Sequence, residues 1–136
     1  MAHGKLKADT LEHSTAGSID TQFVVNGSAK AWCSYNGSGT AFADSFNMAS
    51  ATDNSTGNYT FALTNAMGNA NYAASSIIHP STSTSASMQT CEADCSNGYL
   101  AGSLRVENAY TTSNPSYPRV EFDPVKCAVA IHGDLA

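Results

Sequence analysis

Cysteine and histidine are the residues of this chain whose spacing suggests chemistry most directly. Cys91 and Cys95 are separated by three residues within a polar stretch, so a disulfide between them would close a small loop that has little other packing. A zinc site is the alternative, in which His79 or His132 joins these two thiols. The chain offers no second closely spaced cysteine pair and no histidine pair at ligand spacing, which disfavours zinc.

The other two cysteines fall inside predicted strands. Cys33 and Cys127 therefore fit buried thiols that behave as small apolar side chains. A second metal hypothesis rests on His3, His13 and His132, which could bind an ion if several copies of the chain met on a symmetry axis. No cofactor-binding motif is present, so the sequence predicts neither a cofactor nor a resident metal.

Five carboxylates lie near predicted turns or strand ends: Asp44, Asp53, Glu107, Glu121 and Asp123. Two of them could supply the acid and the base of a glycosidase. No two stand in a recognisable motif, however, and single acids near turns are mostly solvated or cap the turn. The chain also lacks a Ser-His-Asp order and a phosphate-binding loop. We therefore expect a protein that is not an enzyme.

Composition limits the elements that could position these residues. The chain has 136 residues, enough for one domain, and only 12% of them are charged. Ser, Thr and Asn together supply 42 residues, and they favour turns and exposed strand faces over helix interiors. The net charge is −5 and the basic residues form no stripe, which argues against nucleic acid as a partner. No apolar run is long enough for membrane insertion. Residues 1–9 are polar and contain no apolar signal core, which favours assembly in a cytoplasm.

Short alternating segments separated by turn residues predict strands. Phe23-Val24-Val25 ends at the turn dipeptide Asn26-Gly27, and residues 29–35 place Cys33 and Tyr35 on one face and Trp32 on the other. Residues 59–63 alternate most cleanly. Turn signals recur about every ten residues, as in a sandwich. The sequence thus predicts an all-β fold, an antiparallel β-sandwich or a jelly-roll-like domain.

The chain divides into two predicted parts. Residues 1–20 carry too thin an apolar stripe for a stable helix, so we expect an extended N-terminal arm that docks on another subunit or protein. Residues 21–136 form the single β-sandwich domain, with long loops at 79–98 and 108–118. Loops of this length in a compact domain are often functional.

The second loop has the composition of a recognition surface. Tyr110, Asn114, Tyr117 and Arg119 combine aromatic, amide and guanidinium groups within or beside residues 108–118. Tyrosine together with Ser, Thr and Asn is typical of adaptable contact surfaces. These four residues are candidate receptor contacts, although ordinary exposed loop residues would look the same.

Two segments and both ends of the chain resemble one family. Residues 29–40 (AKAWCSYNGSGT) and 44–61 (DSFNMASATDNSTGNYTF) resemble segments common in bacteriophage tail-fibre and virion structural proteins. Residues 6–11 (LKADTL) resemble a lead-in that often precedes them, and residues 125–134 (VKCAVAIHGD) resemble the usual final strand. Residues 79–118 carry no such resemblance. Cys33 and His132 depart from the family pattern, in which an apolar and an aromatic residue are usual.

The resemblance implies a place on the surface of a phage particle. It implies a homotrimer whose N-terminal arm contacts other virion proteins and whose domain contacts a glycan or protein of the host cell. A tail-fibre or short-fibre component is the first expectation, and a capsid decoration (cement) protein that stabilises the head is the alternative. A polysaccharide depolymerase is the third and least favoured.

Overall fold

Strands dominate the fold of this chain. The structure, a computed structural model, describes residues 7–79, 88–116 and 118–136. Its elements in chain order are β1 (Thr10–His13), β2 (Gly17–Asp20), α1 (Thr21–Gly27), β3 (Ala31–Asn36), β4 (Ala41–Phe46), β5 (Met48–Ser55), β6 (Asn58–Leu63), β7 (Ala73–His79), β8 (Gln89–Ala93), β9 (Tyr99–Leu100), β10 (Ser103–Thr111), β11 (Arg119–Glu121) and β12 (Lys126–His132). The all-β prediction is confirmed.

Two antiparallel sheets carry the core. Sheet I has the order β11-β10-β6-β5, and β8 and β9 also pair with β10. Sheet II has the order β4-β3-β12-β7. β10 pairs with β6, and β12 pairs with β3 and β7, so pairing between strands distant in sequence fixes the position of β10 and β12. Both sheets contribute side chains to one hydrophobic cluster.

Alternation along the strands explains which side chains are buried. Tyr59, Phe61 and Leu63 of β6 point into the cluster, as the sequence pattern predicts. On β3, Cys33 and Tyr35 are buried, whereas Trp32 points outward. The buried state predicted for Cys33 and Cys127 is likewise confirmed, with exposed fractions of 2% and 0%.

Aromatic rings join the two sheets at the centre of the core. The ring of Tyr35 in sheet II lies 4.8 Å from that of Tyr59 and 5.3 Å from that of Phe61, both in sheet I. Phe42 of β4 packs edge-on against Tyr35 at 5.7 Å. Such tilted and edge-to-face pairs stabilise a core beyond the area that they bury.

The turn between β5 and β6 depends on a glycine. Gly57 has a φ of +73°, which L side chains rarely adopt. A Cβ atom at this position would lie 2.5 Å from the carbonyl oxygen of Asn108 and 2.9 Å from that of Phe122. The turn between β5 and β6 therefore lies where β10 and the chain after β11 pass close by.

The N-terminal region differs from the prediction. The part of residues 1–20 that the structure describes is not extended, because β1 and β2 form an antiparallel hairpin with Thr10 opposite Asp20. Phe23-Val24-Val25, predicted as a strand, lies in α1. The segment is too short for its periodicity to distinguish a strand from a helical turn, and the preceding chain fixes its start, because Thr21 Oγ1 donates to the carbonyl oxygen of Ala8 at 2.8 Å.

The two predicted loops are also shorter than expected. Within residues 79–98, β8 pairs with β10 over five residues, and residues 80–87 lie outside the described part of the chain. Within residues 108–118, β10 continues to Thr111 because β11 pairs with it from Arg119 onward. Backbone hydrogen bonds to β10 therefore replace what the polar composition predicted as loop.

Candidate functional site: the outer face of sheet II

The centre of the surface that sheet II turns to solvent is largely apolar. Trp32 lies opposite Phe46 on one side and Ala130 on the other, and Ala128 lies opposite Ile77. Paired residues share a face, so these five side chains form one surface, here called the outer face. Phe46 is 54% exposed, Ile77 is 72% exposed and Trp32 is 37% exposed.

A shallow groove of about 390 Å³ runs across the outer face. Ala128 and Ala130 form its floor, because their small side chains leave space between Trp32 and Ile77. Ser34 and Ser75 complete its rim. The groove is lined by no ionisable group apart from the inward-pointing Cys33, so its chemistry is that of apolar contact rather than of proton transfer or metal binding.

A second set of uncovered apolar side chains lies near the N-terminus. The N-terminal segment, defined as residues 10–27, contains five exposed large apolar residues: Leu11, Ile19, Phe23, Val24 and Val25. Phe23 is 60% exposed, and no residue of α1 is buried. The helix ends next to sheet II, since His132 Nδ1 lies 3.1 Å from the carbonyl oxygen of Gly27. The segment nevertheless leaves Trp32 and Ile77 exposed.

The predicted receptor contacts do not form one surface. Tyr110 points toward the interior side of β10, where its ring packs edge-on against Phe122 at 5.7 Å. Arg119 lies opposite Thr111 and therefore shares the other face of the sheet. Asn114 Oδ1 accepts a hydrogen bond from the backbone N–H of Ser116 at 2.9 Å, within a tight turn. Tyr117 lies outside the described residues.

Arg119 is held by three glutamates of sheet I. Its Nη2 lies 2.7 Å from Glu92 Oε1 and 3.1 Å from Glu107 Oε2, and its Nη1 lies 3.4 Å from Glu121 Oε1. Partial burial acts to lower the pKa of the guanidinium, but the pairing with Glu92 and Glu107 outweighs it and leaves the pKa raised. Arg119 thus offsets part of the negative charge of an acidic patch on its own sheet.

Four of the five carboxylates considered for glycoside hydrolysis have structural partners. Glu107 and Glu121 pair with Arg119. Asp123 Oδ1 accepts hydrogen bonds from the backbone N–H of Gly57 at 2.7 Å and from Tyr59 Oη at 2.5 Å. Asp44 Oδ1 accepts from the N–H of Ser45 at 2.8 Å. These contacts give the carboxylates roles in turns and strand pairing.

The structure does not pair Cys91 with Cys95. Cys91 lies in β8, where its Sγ is 3.6 Å from Cys127 Sγ of the other sheet. Cys95 lies beyond the strand, is exposed, and contacts Ser96 Oγ at 3.8 Å. Strand pairing with β10 turns the Cys91 side chain into the core, which the polar sequence around it did not indicate.

The histidines and thiols do not converge on a metal site within the described residues. His79 lies opposite Lys126 and His132 opposite Ala73, so the two histidines are about 20 Å apart along the sheet. His3 and the side chain of His13 lie outside the described part of the chain. Across residues 7–79, 88–116 and 118–136, no three His, Cys, Asp or Glu side chains are grouped to hold a metal ion. No helix among these residues is long and apolar enough to cross a membrane.

Sequence reasoning identified only part of the outer face. The outward direction of Trp32 follows from alternation, and an outward tryptophan is a signal of a contact surface. Phe46 and Ile77 were not recognised, because their position beside Trp32 depends on the order of strands in sheet II.

Comparisons with protein-family models, with curated proteins and with solved structures found no match to this chain. The resemblance to phage virion proteins therefore stays a prediction from the sequence motifs.

Proposed function

We propose that this protein is a structural component of a bacteriophage particle, foremost a tail-fibre or short-fibre component that takes part in host attachment. The motifs at residues 29–40 and 44–61 support the virion assignment. One structural observation carries the rest of the proposal: the chain exposes two separate apolar surfaces, the outer face and the N-terminal segment. The proposed role is assembly and attachment without catalysis, on the surface of the particle.

Exposed apolar surface of this kind calls for a partner. Soluble monomers rarely leave large contiguous apolar patches open, and such patches usually mark protein contacts. The outer face suits a close protein contact, because the alanines of its floor let a partner approach the sheet between Trp32 and Ile77. The low fraction of charged residues in the chain also supports a subunit contact, since the centres of subunit interfaces are depleted of charged residues.

The N-terminal segment is the natural occupant of this face. Helices much shorter than about 12 residues are marginal in water without packing, and α1 has seven residues, none of them buried. Phe23 and Val25 are exposed apolar side chains that could fill the groove. Because the segment leaves the outer face of its own chain uncovered, we propose that it docks on the outer face of a neighbouring copy. A closed ring of three such contacts gives a trimer with a β-sandwich domain in each subunit and an arm between subunits.

The first test is the oligomeric state. We expect multi-angle light scattering at tens of micromolar protein to give a mass three times that of the chain. Ile77→Asp removes apolar contact worth about 1.5–3 kcal/mol and introduces a charge, so association should weaken at least tenfold. Ile77 is exposed, so the circular dichroism spectrum should stay that of the parent.

Leu100→Asp is the matched control. Leu100 is 49% exposed but lies on β9 in sheet I, away from the outer face, so this variant should associate like the parent. A parent protein that stays monomeric at high concentration would refute the proposed assembly. Equal weakening by both substitutions would also argue against the outer face as the contact.

The location on the particle needs a separate measurement. The exposed N-terminal segment would also suit a capsid decoration protein that clamps head subunits, which is the alternative. Quantitative mass spectrometry of purified particles distinguishes the two, because a few tens of copies indicate the tail and hundreds indicate the head.

If the protein attaches to host cells, the purified trimer should compete with phage adsorption, and the Ile77→Asp variant should compete less. A protein absent from particles would refute the virion role.

A further inference from the structure

Cys91 and Cys127 face each other across the interior of the protein. Cys91 belongs to β8 of sheet I and Cys127 to β12 of sheet II, and their Sγ atoms are 3.6 Å apart. A disulfide requires a sulfur separation near 2.05 Å, so the two atoms must approach by roughly 1.6 Å. Rotation of the two side chains covers a distance of this size without a change in strand pairing.

The backbone on both sides holds this geometry. β12 is one of the two inner strands of sheet II, and Cys127 lies opposite Tyr35 on one side and Ile78 on the other. Cys91 lies opposite Asn108 of β10, and its carbonyl oxygen accepts a hydrogen bond from Ser76 Oγ at 2.9 Å. Since Ser76 belongs to β7, this bond ties β8 to the strand next to β12.

The two thiols differ in access to solvent. Cys127 is fully buried, whereas Cys91 is half-buried and lines an opening between β7 and β8 together with Ser76 and Glu92. The thiol contact with Cys127 lowers the pKa of Cys91, and the same contact together with burial raises that of Cys127. Cys91 is therefore the thiol that a small oxidant reaches first and in its more reactive form.

We propose that Cys91 and Cys127 form a disulfide bond that links the two sheets when the protein meets an oxidising medium. The oxidant is a small-molecule disulfide. The Cys91 thiolate attacks one of its sulfurs, forms a mixed disulfide and releases one thiolate. Cys127 then loses its proton and attacks the Cys91 sulfur, which releases the second. Two protein thiols are oxidised, and one small disulfide is reduced to two thiols.

The other two cysteines form no bond within the single chain. Burial raises the pKa of the Cys33 thiol to about 12, and only 2% of this residue is exposed, so it reacts slowly. Cys95 is exposed, so the oxidant can convert it to a mixed disulfide, which adds one small thiol and no cross-link. The bond would close a loop across 36 residues. A loop of this length restricts the unfolded chain, so the oxidised protein should melt about 10 °C higher than the reduced one.

The experiment compares protein oxidised with oxidised glutathione and protein kept in a phosphine reductant. Alkylation followed by mass spectrometry should count four free thiols in the reductant and at most two after oxidation, with Cys95 either free or carrying one glutathione. Digestion with trypsin and a glutamate-specific protease separates Cys91 from Cys95 and Cys127, because cleavage after Lys30, Glu92, Arg105 and Lys126 gives peptides 31–92, 93–105 and 127–136. We expect peptide 31–92 to be cross-linked to peptide 127–136.

Three variants identify which two sulfur atoms form the disulfide. Cys91→Ser should abolish both the cross-link and the rise in melting temperature, which excludes Cys33 as the partner within peptide 31–92. Cys127→Ala should do the same, and if this core substitution prevents folding, the half-buried Cys91→Ser carries the test alone. Cys95→Ser is the matched control and should still oxidise. A link between peptides 31–92 and 93–105, an interchain dimer through Cys95, or four free thiols after oxidation would each overturn the proposal.

Discussion

The buried contact between Asp123 and Tyr59 provides the most demanding test of how this fold is held together. One oxygen of Asp123 accepts hydrogen bonds from the Gly57 N–H at 2.7 Å and from the Tyr59 hydroxyl at 2.5 Å. Burial raises the pKa of Tyr59, and its bond to the Asp123 carboxylate raises it further, so the hydroxyl stays protonated and donates. Asp123→Ala removes the only acceptor that the described contacts give to both donors.

The expected cost follows from these two donors. A buried donor left without a partner costs about 1–3 kcal/mol, which gives about 2–6 kcal/mol for Tyr59 and Gly57 together. Asp123 is itself half-exposed, so water replaces part of the carboxylate. We therefore expect Asp123→Ala to lower the free energy of unfolding by about 2–4 kcal/mol. Tyr59→Phe removes one donor and leaves the carboxylate bonded to Gly57, for a loss of about 1–2 kcal/mol.

Urea unfolding at pH 7 and equal protein concentration measures these losses. In the double variant, which combines Asp123→Ala with Tyr59→Phe, no hydroxyl is left unpaired. Its loss of unfolding free energy should therefore be smaller than the sum of the two single losses by about 1–2 kcal/mol. Additivity within about 0.5 kcal/mol would refute the reasoning. Asp44→Ala is the control, because Asp44 is exposed and, among the described residues, its hydrogen bond is from the N–H of its neighbour Ser45. Its loss of unfolding free energy should stay below about 0.5 kcal/mol.

Two further substitutions test the turns of sheet I. The N–H groups of Ser96 and Asn97 lower the pKa of Asp94 from 3.8 to about 2. The stability that the Asp94 carboxylate gives the fold is therefore present above pH 4 and is lost as the pH falls toward 2. Asp94→Asn should melt lower than the parent at pH 7, and the difference in melting temperature should shrink as the pH falls from 4 to 2. Gly57→Ala should reduce stability by more than about 1 kcal/mol, because its Cβ meets a carbonyl oxygen at 2.5 Å, whereas Gly102→Ala, which meets nothing within 4 Å, should not.

Local alternation predicted the strands that form the centre of the core. Residues 59–63 carry large apolar side chains at every second position, and residues 31–36 alternate between buried and outward positions in the same way. The same alternation placed Trp32 on the face opposite Cys33 and Tyr35. These predictions succeeded because each depends only on neighbours two positions away in the sequence.

The pairing of Cys91 and the shape of the outer face depend on contacts that local patterns do not encode. Cys91 enters the core because β8 pairs with β10, and Cys127 meets it because β12 lies between β3 and β7. The spacing of Cys91 and Cys95 suggested a local bond instead. Likewise Ile77 joins Trp32 through the alanines of β12, a strand that begins 47 residues after β7 ends.

Strand β12 connects the two proposals of this structure. Cys127 points inward to the thiol of Cys91, whereas its neighbours Ala128 and Ala130 point outward and form the floor of the groove. A disulfide at Cys127 would therefore anchor from the inside the same strand that, in the proposed assembly, a neighbouring subunit contacts from the outside. The bond adds no side chain to the outer face, so oxidation should stiffen the contact surface without altering its shape, and assembly and cross-linking can each proceed without the other.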